Sequence, residues 1–199
     1  MGAFKGSLSV RRFAVADLTY DPKKHGKAIK AHRCPNLVPS DDADMAFGWC
    51  NLQRPLLDID PADLAFNDHL VFALRIDRYL LPDSTLAAHV SERVADIQAE
   101  RSMELSKSEV ADVKEQVRRE LRLRLLPTIR TYDVVWDRGE GVVWLFTQSN
   151  PVVEAFEDLF FRTFGGLLDP EDPFSTADRF GIDRDLLLDI EPTDFAGGK

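Results

Sequence analysis

Apolar positions recur at two different periods along this chain, and the change of period divides it. Leu70, Phe72, Leu74 and Ile76 recur at period two, a strand signal. From residue 83 to 126 the spacing lengthens to three and four. Leu86, Val90, Val94 and Ile97 form one stripe, and Val110, Val113, Val117 and Leu121 form another. Between them, Ser106 followed three residues later by Glu109 has the spacing of a capping box. The expectation is two helices, at about 83–104 and 107–125, folded on each other as a hairpin. Each stripe is narrow and each opposite face is charged, so the pair is expected to project from the domain rather than form its core.

The flanks carry strand and helix signals. Residues 3–15 have mixed alternation and predict a first strand, and 45–52 predict another. A basic helix is expected to start at Asp21, with Pro22 in its first turn. After Pro127, residues 128–137 and 142–148 enclose Gly139 and Gly141, which predicts a β-hairpin. Ser149 or Asn150 caps a helix that has Pro151 in its first turn, Phe156, Leu159, Phe160 and Phe164 on one face, and Gly165 after its end. Short helical patches such as 183–188 mark the tail. The reading is an α+β fold: an antiparallel sheet with packing helices and a projecting helical hairpin. The central domain takes 1–82 and 127–168, the hairpin is an insertion at 83–126, and 169–199 is an acidic C-terminal tail.

Composition adds limits. A chain of 199 residues with 44% hydrophobic content is long and apolar enough for one real core. No run of about 18 apolar residues predicts a membrane span, and no secretory or myristoylation pattern opens the sequence. Cys34 and Cys50 do not make a disulfide framework. A reduced cytoplasmic setting is expected.

Net charge of −9 lowers the prior for nucleic-acid binding but conceals an asymmetry. Basic residues crowd the first 33 positions, with Lys23, Lys27 and Lys30 on one helical face, while 169–194 is strongly acidic. Arg118, Arg119, Arg122 and Arg124 gather at the end of the second hairpin helix, and Arg130 follows just beyond. Two explanations compete. Cations at a helix C-terminus favour the dipole, and Glu115–Arg119 is an i, i+4 pair, so a solvated helix end accounts for the cluster. A phosphate-binding surface accounts for it equally, because phosphate contact needs only charge and donors.

Other chemistry is weaker. Asp58, Asp60, Asp63, Asp68 and His69 offer carboxylates without a known metal-ligand spacing. His25, His32 and Cys34 lack a further ligand at a zinc spacing. Trp49, Trp136 and Trp144 are candidate stacking platforms for single strands, although their apolar strands favour core packing. No P-loop, nucleophile elbow or dinucleotide fingerprint occurs. No catalytic residue, metal or cofactor is expected.

The order of short motifs resembles the recombination-associated protein RdgC family. The matching pieces are Phe4-Lys5, Gly48-Trp49, Leu81-Pro82, the long charged helical segment, the Leu-Leu-Pro at 125–127, Trp136-Asp137, and the helix that leaves through Gly165-Gly166. They run colinearly from about residue 3 to 168. The resemblance implies a DNA-binding protein without sequence preference and a head-to-head dimer with central, tip and base regions. Such dimers close into a ring around duplex DNA and limit access of the recombinase RecA. It further implies a nucleoid-associated location and a role in recombination or replication. Three departures are visible. The short acidic tail stands where longer members have a base region. Arg130 replaces the family's aromatic residue three positions after the Leu-Leu-Pro proline. The lysines of the family's tip are mostly absent, leaving Lys107 and Lys114 among glutamates.

Candidate DNA contacts on this reading are Lys5, Arg11, Arg12, Lys27, Arg75, Arg78, Lys107, Arg118, Arg119, Arg122, Arg124 and Arg130. The competing functions are an acidic protein-interaction module that binds no DNA, and a metal-dependent nuclease.

Overall fold

The computed structural model describes Ala3 and residues 9–15, 18–39 and 43–188. Seven strands form one antiparallel sheet: β1 (Arg11–Val15), β2 (Met45–Cys50), β3 (Ala65–Phe66), β4 (His69–Arg78), β5 (Thr128–Asp137), β6 (Val142–Leu145) and β7 (Leu168–Pro170). Their order is β2-β4-β5-β6-β1-β7, and β3 pairs with the start of β4 on the β2 side. The first strand is shorter than expected from the alternation, and residues 4–8 of that expectation lie outside the described residues.

One face of the sheet is covered by helices α1 (Pro22–Ala31) and α4 (Asn150–Phe164). Alternation along β4 sends Leu70, Phe72 and Leu74 into this layer, where they meet Phe156, Phe160 and Phe164 of α4. Trp49 and Trp136 are 1% exposed and belong to the same core, as the packing alternative for these tryptophans expects. The Trp49 indole is satisfied without water: Nε1 donates to Thr163 Oγ1 at 2.8 Å, and that hydroxyl donates to the Leu159 carbonyl at 2.7 Å. Each helix stops where its local chemistry says it should. Asp21 accepts from the Lys23 and Lys24 amides at the start of α1, and Gly165 takes a left-handed conformation (φ 76°) after α4.

The opposite face is less exposed than simple alternation predicts. Ala73, Arg75 and Asp77 on β4 are buried there. Loops on either side of β2 close over them: Arg75 Nη1 donates to the Pro55 carbonyl at 3.0 Å, and Tyr79 Oη donates to the Leu37 carbonyl at 3.3 Å. Gly48 makes this crossing possible. A Cβ on Gly48 would sit 2.4 Å from the Cys34 backbone nitrogen, so only glycine lets the chain pass.

Between β4 and β5 the chain leaves the sheet as α2 (Asp83–Arg101) and returns as α3 (Lys107–Arg122). The capping box forms as expected, with Ser106 and Glu109 exchanging side-chain-to-backbone hydrogen bonds. Leu86, Val113 and Val117 are the buried residues of this pair, flanked by half-buried Val90, Val94 and Ile97. Arg93–Glu120 (2.9 Å) and Arg101–Glu109 (3.2 Å) stitch the helices along their polar edges.

The segment read as an acidic tail carries the helical patch expected at 183–188 together with elements that reading did not give. β7 pairs with β1, and α5 (Pro173–Arg179) and α6 (Arg184–Leu188) follow. Three residues of β7 are too few to show a strand period in sequence.

Candidate nucleic-acid interface

The hairpin's two ends meet the sheet where Arg78 ends β4 and Thr128 opens β5, which are register partners. The connectivity therefore collects Arg78, Arg118, Arg119, Arg122, Arg124 and Arg130 around one junction. Their roles there differ. Arg122 Nη1 lies 3.0 Å from Asp44 Oδ1, and Nη2 donates to the Ala43 carbonyl. Its guanidinium sits 5.1 Å from the Tyr79 ring centroid. With its side chain 14% exposed, Arg122 is an anchor holding α3 to the sheet and offers little to a ligand. Neither Asp44 nor Tyr79 stood out in sequence, since these contacts are long-range; the bond to the Ala43 carbonyl spans 79 positions.

Arg119 pairs with Glu115 at 3.5 Å, as the i, i+4 spacing expects, and both remain exposed. Arg118 and Arg124 are exposed and have no ion pair among the described residues. Glu120, beside Arg124, is held below the usual carboxylate range by hydrogen bonds from Arg93 and then Gln116. Arg78 donates to Met45 Sδ at 3.5 Å, and neither it nor the exposed Arg130 has an ion pair among the described residues.

Arg75 leaves the candidate set. It is 4% exposed and directs Nε at Asp77 Oδ1 (2.8 Å) and Nη2 at Asp77 Oδ2, inside the loop-covered face. These hydrogen bonds to a fully buried carboxylate push its pKa up and lock it as a cation with no surface to present. Sequence placed it on β4 but could not show that loops cover that face.

The other candidates are scattered. Arg11 donates to Gln148 Oε1 (3.2 Å) and Asn150 Oδ1 (2.6 Å), and Arg12 pairs with Glu171 at 3.0 Å. Both lie on β1, three strands from β4. Lys27 is exposed on α1 with Lys23 and Lys24, and these have no ion pair among the described residues. Lys107 stands at the far turn of the hairpin, about 24 Å from the junction by the rise of α3. Lys5 lies outside the described residues.

The metal candidates are not brought together. Asp58 pairs with Arg33, Asp60 caps the turn at Pro61–Leu64, and His69 Nε2 lies 3.4 Å from Asp137. Cys34 is buried, with its thiol pushed up to about 12 by desolvation, and His25 packs against Tyr20 and Phe164. Among the described residues, no three His, Cys, Asp or Glu side chains converge as a metal site. Trp144 is half-buried on β6. Among the described helices, none is long and apolar enough to cross a membrane.

A sheet backed by α1 and α4, with a two-helix arm set between adjacent strands and arginines at its root, is an α+β architecture with a basic junction. The family model described as "Putative exonuclease, RdgC" matches residues 7–179, and the chain belongs to the RdgC family. No curated protein matched the chain.

Proposed function

We propose that this chain is a non-enzymatic DNA-binding protein without sequence preference, acting as a homodimer in DNA recombination or replication. Family membership across residues 7–179 carries this reading. The exposed, unpaired cations at the junction and on α1 support it, because phosphate contact requires desolvatable charge that is not already spent on carboxylates. Arg118 and Arg124 at the hairpin root, with Lys27 on α1, are the residues we assign to the backbone. The duplex would take up counterion-release energy there while the acidic remainder keeps off unrelated polyanions.

Dimerisation has its own motive. The stripe of α2 and α3 stays open as a groove of about 710 Å³ lined by Leu86, Val90, Val94 and Val110. A second hairpin would bury what one cannot. A partner such as RecA enters only through the family role.

Titration of the intact chain with unrelated duplexes of equal length tests the proposal. Similar affinities are expected, falling steeply as salt rises. Arg118→Glu with Arg124→Glu should weaken binding and lower the salt slope by about one per lost phosphate contact. Sedimentation of the same samples should give a dimer. Absence of binding at low salt would leave the protein-interaction module as the better reading.

A further inference from the structure

Alpha helix α4 leaves one corner of its sheet face uncovered. The cleft there is about 400 Å³, floored by Phe47, Ile76 and Tyr132 and walled by Pro151 and Val152 at the start of α4. Met45 and Leu80 line its mouth and are 43% and 52% exposed. Arg78 and Arg130 stand at the rim, neither paired with a carboxylate among the described residues. Among the described residues no acidic side chain lines the cleft, in a chain whose formal charge is −9.

The backbone beside the cleft is also open. β2 is an edge strand of the sheet. Trp49 pairs in register with Leu74, yet its N–H donates to the His32 carbonyl and its carbonyl accepts from the Cys34 amide, each at 2.9 Å. Its main-chain groups thus point away from β4. Hydrogen-bonding direction alternates along an antiparallel strand, so Phe47, two residues earlier, points the same way. Outside the sheet ladder, no backbone group among the described residues bonds the Phe47 N–H or carbonyl. Among the described residues, a short open edge therefore runs along a cleft that is apolar at its floor and cationic at its rim.

We infer that this cleft docks an extended acidic peptide segment of a partner protein, which adds to the β2 edge at Phe47, buries an aliphatic or aromatic side chain over Ile76 and Tyr132, and sets carboxylates against Arg78 and Arg130. Duplex DNA would satisfy the two arginines but gains nothing from aliphatic walls or from an open strand edge. A peptide satisfies all three features: main-chain pairing at the edge, apolar burial at the floor and charge at the rim. The inference does not depend on the DNA reading, which is assigned to Arg118, Arg124 and Lys27.

Fluorescence anisotropy of the full chain with a dye-labelled Asp-Glu-Leu-Asp-Phe-Asp-Asp peptide tests it. Saturable binding is expected, weakened at least about tenfold by Arg78→Glu with Arg130→Glu. Ala155→Glu should weaken it similarly, since Ala155 lines the cleft from α4. Peptides with Ser in place of Leu and Phe, or with N-methylated amides, should also lose affinity, and these need no change to the protein. Equal binding of the Ser peptide would overturn the inference as mere charge attraction. Displacement of the peptide by a short duplex, with loss of duplex binding in the double variant, would assign the cleft to DNA instead. A dimer that dissociates on Arg78→Glu with Arg130→Glu would assign it to a second copy.

Discussion

The sheet layer and the helical hairpin are built from the same chain by different economies. Among the described residues, eighteen buried side chains form one continuous cluster between the sheet, α1 and α4, with nine aromatic or branched residues on the strands facing six from α4. The hairpin has three, Leu86, Val113 and Val117, and leaves the rest of its stripe half-exposed. Its remaining order comes from a capping box and exposed ion pairs, each of which contributes little and weakens with salt. A region with so small a core opens locally at a fraction of the global unfolding free energy. The sheet is thus the more rigid platform, and the arm is the softer element.

The largest test of this contrast is a pair of core truncations. Trp49→Ala removes a ring that meets Phe72, Phe156 and Phe164 and leaves the Thr163 hydroxyl without its donor. It should cost about 3–5 kcal/mol in global stability, read from denaturant titration. Val117→Ala should cost about 1–2 kcal/mol, and the loss should fall on amides of α2 and α3 in hydrogen exchange. If Val117→Ala lowers protection in β4 and β5 as much as in the hairpin, the two regions form one cooperative unit and the comparison fails.

Arg122 is the next test, because it joins the regions. Arg122→Ala removes the bond to the Ala43 carbonyl, the pair with Asp44 and the stack over Tyr79. Asp44 is 74% exposed, so the pair itself is screened, and a cost of about 1 kcal/mol is expected. Arg122→Lys should recover only part of it, since an ammonium has neither the fork nor the flat face. Protection at the root of α3 should fall while that of β4 holds. A substitution that leaves the root unchanged would mean the arm is held by Leu81 and Leu121 packing alone.

Legibility from sequence followed the range of the interactions involved. The hairpin, the capping box, the β5–β6 turn and both ends of α4 depend on residues within a few positions, and their signals were plain. Arg75 and Arg122 show the opposite. Each looked like an exposed cation because its strand or helix position is on a nominally polar face, yet Arg75 is covered by a loop reaching it from Pro55, and Arg122 is captured by Asp44. No local pattern encodes such coverage. The cleft at Phe47 was equally hidden, because it exists only where α4 stops short of three strand ends.

The smallest effect concerns proton uptake, and it separates the regions by a different property. His25 on α1 is 2% exposed, and its Nδ1 accepts the Asp21 N–H at 2.9 Å. The neutral ring therefore carries its proton on Nε2, among Tyr20 and Phe164. A second proton would have to enter at Nδ1 against that donor. Burial foremost, then the Lys24 charge, holds the His25 pKa below its ordinary value, against a smaller opposing pull from Asp21. The unfolded chain protonates this histidine near pH 6.5, about where a free imidazole titrates, and the folded chain only at lower pH. Its contribution is complete above that value and is lost as pH falls through the folded pKa. Asp21, held low by the Lys24 and Lys23 amides, responds in a lower window, so the two do not overlap at their onset. His25→Asn keeps an acceptor for the Asp21 amide and cannot titrate. It should lower stability at every pH yet flatten the decline below pH 6.5, measured by denaturant titration at a series of pH values. The accompanying loss of hydrogen-exchange protection in the parent should fall on α1 and the strands it covers. Equal loss in α2 and α3 would show that the arm shares the stability of the sheet.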